Sequence, residues 1–262
     1  DVLKKGGIVR AIKIPDIANY SRKDIDDITK LAISFGAKAL ANIIYLEDGS
    51  AKSPVLKFLT EEQANAIKER AGAKAGDIIF FVADKPKVAY DVMGRLRLYF
   101  GERLGLIDEN KHALLWVVDF PMFEYSEEDN RYVSVHHPFT MPNLEDIDKM
   151  ETDPAHCRSI AYDIVYNGNE LGGGSVRIHD GEIQKRVFKA LGLSEEETKE
   201  KFGFMINAFS YGTPPHAGLA LGLDRVVALL AKTNSIRDVI AFPKNSAAKC
   251  LMTDAPAMAT EE

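Results

Sequence analysis

The chain has 262 residues, 46% of them apolar and 27% charged, with a formal net charge of −6. These are the proportions of a soluble globular protein able to bury one large core or two smaller ones. No apolar run reaches membrane-spanning length and no signal-peptide pattern opens the chain. Cys157 and Cys250 lie too far apart for a CxxC motif, so a reduced, cytoplasmic protein without structural zinc is expected.

Charge is unevenly spread. Residues 1–105 carry 18 Lys and Arg against 14 Asp and Glu. Residues 106–262 carry 15 against 25, together with all six histidines. Two units are expected, covering residues 1–100 and 101–262. The basic first unit suits a polyanion such as nucleic acid, and equally a slightly basic domain with no partner. The chain opens on DVLKK without a starting Met, so it reads as a piece of something longer.

In chain order, Ile8 to Ile14 reads as a strand ended by Pro15. Ser21 can cap a helix with the apolar face Ile25, Ile28, Leu31, Ala32 and Phe35, stopped by Gly36. A strand over Ala41 to Leu46 and a turn at Asp48-Gly49 follow. Thr60 and Gln63 form a capping box for a second helix, which Gly72 ends. Asp77 to Ala83 is an apolar strand, and the spacing of Val92, Leu96, Phe100 and Leu104 predicts a third helix stopped by Gly105. No catalytic side chains gather here, so these residues read as an α+β binding or packing domain.

Chemistry-bearing residues concentrate beyond this point. Trp116 to Pro121 and Tyr132 to His136 read as strands. Pro138 holds His137 extended. The pair His136-His137 reads either as polar strand end or as hydrogen-bond donors to a substrate carboxylate. Neither HxH spacing nor a nearby Cys supports zinc. Asn167-Gly168 signals a two-residue type I′ hairpin. That hairpin makes Asp163 and Glu170 diagonal neighbours on one sheet face, with Cα atoms roughly 7–8 Å apart. Two such acids are either solvated or share a cation, such as Mg2+ held jointly with nucleotide phosphates. Strict alternation puts Arg177 on the opposite face. A bulge in Gly172, Gly173 and Gly174 is expected to shift the phase and bring Arg177 beside them, where its planar fork can grip a carboxylate.

Gly218 to Arg225 reads GLALGLDR. Small and large residues alternate with strand period, and the glycines bare one face for a flat ligand or a second backbone. Arg225 falls where the strand becomes a helix, an electropositive terminus that suits phosphate. A glycine-rich strand in an ordinary core would read the same way.

Taken together, HHPFT (136–140), ELGGGSVRIH (170–179), FGF (202–204), YGTPPHAGLALGLDR (211–225) and IRDVIAFPK (236–244) resemble the C-terminal part of bacterial-type aspartyl-tRNA synthetases. Those enzymes are class II, and their ATP site is an antiparallel sheet. This sequence has neither GxxxxGK[ST] nor a strand-linked GxGxxG. GLALGLDR resembles class II motif 3, with Ala220 for one glycine and Asp224 for the commoner glutamate. Residues 1 to about 100 resemble the GAD insertion domain of the bacterial enzymes. The fold implied is α+β: an incomplete class II antiparallel sheet flanked by helices, with a smaller α+β insertion domain.

The resemblance implies roles. Arg225 would bind the γ-phosphate of ATP, with Gly222, Leu223 and Asp224 on the adenosine side. Glu170, with Asp163 beside it, would hold Mg2+. Arg177 would bind the side-chain carboxylate of L-aspartate, with His136 and, as a weaker candidate, His137 against the same substrate. The reaction implied is activation of L-aspartate by ATP and transfer to tRNA-Asp, with tRNA-Asn as a second candidate, by a homodimeric enzyme. Motif 1, motif 2 and the anticodon-binding domain have no counterpart in these residues, so the chain is expected not to activate aspartate alone. Rival readings are a non-catalytic tRNA- or protein-binding paralogue and a tRNA-independent aspartate-activating ligase. Intact Glu170, Arg177 and Arg225 argue against the first, and the insertion-like first unit argues against the second.

Overall fold

The computed structural model describes residues 2–108 and 110–258. Contacts divide the chain into two units, Asp1–Asn110 and Lys111–Glu262. In the first, β1 (Ile8–Ile14), α1 (Arg22–Ser34), β2 (Ala41–Tyr45), β3 (Ala51–Lys52), α2 (Glu61–Ala71), β4 (Ile78–Asp84) and α3 (Pro86–Arg103) follow in order. The sheet runs β1-β4-β2-β3 and is antiparallel throughout.

Local chemistry starts and stops these helices. Ser21 accepts from the Asp24 N–H while the Asp24 carboxylate reaches back to the Ser21 N–H, a closed capping box. Thr60 and Gln63 repeat the device at α2, which ends at Gly72 in the left-handed conformation. The third helix starts at Pro86, six residues before the apolar spacing reveals it, because proline suits the first helical position. One sheet face packs Ile28, Phe80, Val82, Leu96 and Phe100 into a core, with the Phe80 and Phe100 rings stacked at 5.6 Å. On the other face, Ile43, Tyr45 and Ile79 pack against Ile67 of α2. After α3 the Leu106 N–H returns to the Gly101 carbonyl at 2.8 Å, which keeps this segment within the first unit.

The second unit contains β5 (Leu114–Val117), β6 (Phe123–Ser126), β7 (Arg131–Ser134), α4 (Lys149–Thr152), β8 (Ala161–Tyr166), β9 (Asn169–Val176), α5 (Gly181–Ala190), α6 (Glu195–Phe209), β10 (Ala217–Leu221) and α7 (Leu223–Leu230). An antiparallel sheet runs β10-β9-β8-β5, and β6 pairs with β7 as a separate hairpin. The strand expected over Trp116 to Pro121 ends at Val117. Asp119 takes a positive φ of 57°, which turns the chain out of the sheet. The Asn167-Gly168 turn has φ values of 46° and 82°, as a type I′ hairpin requires. Behind the sheet, Met122, Phe123, Met141, Met150, Ile178, Val187 and Leu191 form the core.

A buried carboxylate with two half-exposed cations ties the loops of this core. Asp146, 1% exposed, accepts from Arg158 Nε at 2.6 Å and from Lys149 Nζ at 2.6 Å. These bonds hold its carboxyl well below the usual carboxylate range. The Cys157 thiol beside it is pushed up to about 11, first by burial and then by the Asp146 charge, which makes it an inert structural cysteine.

Candidate active site

The floor of the site is built by glycines. Between β8 and β9, Val165 pairs with Glu170 but Ile164 pairs with Gly172, so Leu171 is the extra residue of a β-bulge. The expected phase shift is therefore present, one residue before the triple glycine. The glycines have another task. A Cβ on Gly172 would run into the Ala220 carbonyl oxygen, and one on Gly174 into that of Gly218, so both permit the close approach of β10. A Cβ on Gly173 would meet Asp163 Oδ1. Asp163, Gly173 and Ala220 are register partners in one row. The small residues leave that carboxylate an open face.

The bulge places Asp163, Glu170 and Arg177 around one cavity of about 450 Å3, with His136, His137, Gly222 and Arg225 also on its wall. This volume is within the range of small-molecule sites. Gly222 caps α7, and Arg225 stands in its first turn. Arg225 Nη1 donates to the Glu170 carbonyl at 2.8 Å and lies 3.1 Å from Glu170 Oε1. Both side chains are half exposed, so a phosphate can reach the guanidinium from solvent. Leu223 and Asp224, expected on the adenosine side, occupy the first turn of α7, and Leu223 is exposed. Of that expected trio, the cavity wall includes Gly222.

Arg177 continues the line of β9. Its N–H donates to the His216 carbonyl at 3.0 Å, and it bridges to Thr140. Its Nη1 lies 3.1 Å from His137 Nδ1, which also accepts the Phe139 N–H at 3.1 Å. His137 Nδ1 therefore acts as an acceptor, and a proton for a substrate carboxylate is left to Nε2. Burial first, then the charge of Arg177 and the neighbouring His136, lowers the His137 pKa to about 4. The ring is neutral at pH 7 and does not compete with Arg177 for an anion. His136 packs edge-on against Phe120 at 4.9 Å.

Asp163 and Glu170 supply two carboxylates, and no cluster of three or more His, Cys, Asp or Glu suited to a metal occurs among the described residues. Such a donor set fits Mg2+ shared with ligand phosphates, and does not fit a cation caged by protein alone. Sequence reasoning passed over two residues at this end. Ser175 lies two strand positions from Arg177 on the same wall, and its buried Oγ has no partner among the described residues. Alternation back from Arg177 would have found it. Gln184 sits in the buried stripe of α5 and donates to the Pro138 carbonyl. The signal was a polar residue at core spacing with Val187 and Phe188.

Comparison with known proteins places this geometry in context. Residues 14–246 match the family model described as tRNA synthetases class II (D, K and N). The chain is 52% identical over 262 residues to the aspartate–tRNA(Asp/Asn) ligase of Caldanaerobacter subterraneus subsp. tengcongensis, covering 100% of this chain and 44% of that protein. It is 54% identical over 255 residues to the ligase of the same name from Bacillus cytotoxicus, covering 97% and 43%. Among solved structures, an aspartyl tRNA synthetase from Entamoeba histolytica aligns with a TM-score of 0.41 and 23% identity, over 73% of this chain and 32% of that one. The chain spans less than half the length of the curated relatives it matches.

Proposed function

Because the chain belongs to the class II tRNA synthetases of the D, K and N group, we propose that it carries the L-aspartate and ATP-phosphate walls of an aspartate–tRNA ligase. The observation that carries this reading is the convergence of Arg177, Arg225, Asp163 and Glu170 on one glycine-floored cavity.

Arg177 binds the substrate side-chain carboxylate through its planar fork, and the neutral His137 ring backs the guanidinium without adding charge. An amide in place of that carboxylate leaves the guanidinium poorly paired, which separates aspartate from asparagine. His136 and His137 Nε2 stand beside the same substrate. Arg225 takes the γ-phosphate, and Gly222, Leu223 and Asp224 lie toward the adenosine. Glu170 with Asp163 would hold Mg2+, which neutralises phosphate charge when bound. An oxygen of the aspartate α-carboxylate attacks the α-phosphorus, pyrophosphate leaves, and a ribose hydroxyl of the terminal tRNA adenosine then takes the aspartyl group and releases AMP. The protein's contribution is positive charge fixed where negative charge develops.

The name of the relatives supports tRNA-Asp and tRNA-Asn as acceptors. The excess of Lys and Arg in residues 1–105 supports tRNA contact by the first unit, read here as the insertion domain. A cytoplasmic, homodimeric parent enzyme accords with this reading. Calorimetric titration with L-aspartate and L-asparagine tests it. The chain should bind aspartate at least tenfold more tightly than asparagine, and Arg177→Gln should abolish the difference. Equal binding of the two by the unmodified chain rejects the reading.

A further inference from the structure

Gln184 lies on the buried face of α5, 7% exposed, beside Val187 and Phe188. A polar amide in an apolar stripe is costly unless it is hydrogen-bonded. Its Nε2 donates to the Pro138 carbonyl at 2.8 Å, while its Oε1 has no partner among the described residues. A methionine would fill the same length but would leave the Pro138 carbonyl without its donor.

What the hydrogen bond does is geometric. Pro138 has no N–H, so its carbonyl is the one backbone group by which residue 138 can be tied. Next along the chain, Phe139 packs edge-on against Phe188 and Phe202, at 6.1 and 5.2 Å. The Ile178 N–H donates to the Phe139 carbonyl at 3.0 Å, and the Met141 N–H to the Val176 carbonyl at 2.9 Å. The loop after Pro138 is thus fastened to β9 and to the aromatic cluster. The turn that carries His137 is closed by the Thr140 N–H on the His137 carbonyl at 3.2 Å, and the Gln184 contact ties Pro138 in its middle to α5. Gln184 is not among the residues that line the cavity.

We propose that Gln184 is a positioning residue: by holding the Pro138 carbonyl it fixes the His137 ring against Arg177 and so shapes the carboxylate-binding end of the cavity. The proposal rests on reading that end as the L-aspartate site, and adds a determinant on a helix behind it.

Heteronuclear NMR of the His137 ring in the 262-residue chain tests this, with calorimetric titration of L-aspartate alongside. In Gln184→Met the His137 signals should shift, and its titration should move from about 4 toward the ordinary value. Aspartate affinity should fall about 3- to 10-fold as the competent loop becomes a minor population. Gln184→Glu is the second variant. A buried carboxyl keeps its proton at acidic pH and can still donate, but loses it at alkaline pH. The His137 signals of that variant should therefore match the unmodified chain near pH 5 and depart from it near about pH 9. Unchanged His137 signals in a folded Gln184→Met, or in Gln184→Glu throughout that range, overturn the proposal. An unmodified chain that binds no aspartate, while His137 still responds to Gln184, rejects the substrate reading and upholds the positioning role.

Discussion

Arg225 and Glu170 hold one another at the edge of the cavity, with Nη1 3.1 Å from the carboxylate and 2.8 Å from the carbonyl of the same residue. The carbonyl contact is independent of the carboxylate, so the guanidinium keeps its place when a ligand draws the carboxylate away. An exposed ion pair contributes at most about 1 kcal/mol, and a polyphosphate with its cation can displace it. Arg225 is therefore preset for an anion by a backbone contact.

Replacing Arg225 with Gln should weaken binding of Mg2+-ATP by about 10- to 100-fold, the worth of a charge-assisted hydrogen bond. The melting temperature should change little, since Arg225 is half exposed. Calorimetry with Mg2+-ATP measures the first and thermal unfolding the second. An Arg225→Gln chain that binds the nucleotide as tightly as the original would remove Arg225 from the phosphate site.

The triple glycine gives two separable effects. Gly172→Ala forces a Cβ onto the Ala220 carbonyl, so β9 and β10 must part, and overpacking of this kind costs about 1–3 kcal/mol. Gly173→Ala meets the end of the Asp163 side chain, which can swing aside. The first variant should lose more stability in urea, and the second should lose more Mg2+-dependent ATP binding. The reverse order would mean that Gly173 serves the fold and that its bare face has no bearing on Asp163.

Much of this was legible in the sequence where the cause is local. Ser21 as a cap, Thr60 with Gln63, and Asn167-Gly168 each fix their element through neighbours in the chain. The strand running into Arg225 was legible from alternation alone, and it occupies Ala217–Leu221. Legibility failed where the cause was distant or lay in the backbone. The bulge falls at Leu171 rather than within the triple glycine, whose Gly172 and Gly174 instead lie against β10 carbonyls, contacts that exist only once β10 is paired. The β5 strand stops at Val117, before a left-handed Asp119 that the surrounding apolar run concealed although Asp is among the residues that tolerate this conformation. Gln184 was missed because its partner, Pro138, lies 46 residues away.

His137 gives the site an acid limit. Its folded pKa is lowered to about 4, so the folded state binds fewer protons than the unfolded chain, whose histidine titrates near 6.5. Stability should fall as pH drops from about 6.5 to about 4 and should lose nothing further from this group below that. Protonation also sets a cation against Arg177, and Nδ1 can no longer accept from it. L-Aspartate affinity, a property of the folded chain, should fall only as pH approaches about 4, where the folded ring gains its proton. His137→Gln, which retains an acceptor but cannot titrate, should flatten the stability curve between about pH 5 and 6.5 and remove the ring's share of the affinity loss near about pH 4. An unchanged acid profile in that variant would assign the loss to another group.

The permanently charged cations lining the cavity, among the described residues, are Arg177 and Arg225. If Arg177 is committed to the substrate side chain and Arg225 to the γ-phosphate, no fixed cation remains for the charge that develops at the α-phosphorus. One missing contact of this kind costs about 10²–10³ in rate. Aspartate-dependent ATP–pyrophosphate exchange by these 262 residues should therefore run at least about 100-fold below that of a full-length relative such as the Bacillus cytotoxicus ligase, while L-aspartate binding through Arg177 persists. The two quantities should separate, because binding uses a wall that is present and activation needs charge opposite it. Exchange at the relative's rate would require another cation to reach the α-phosphate, and the division of labour between Arg177 and Arg225 would fall.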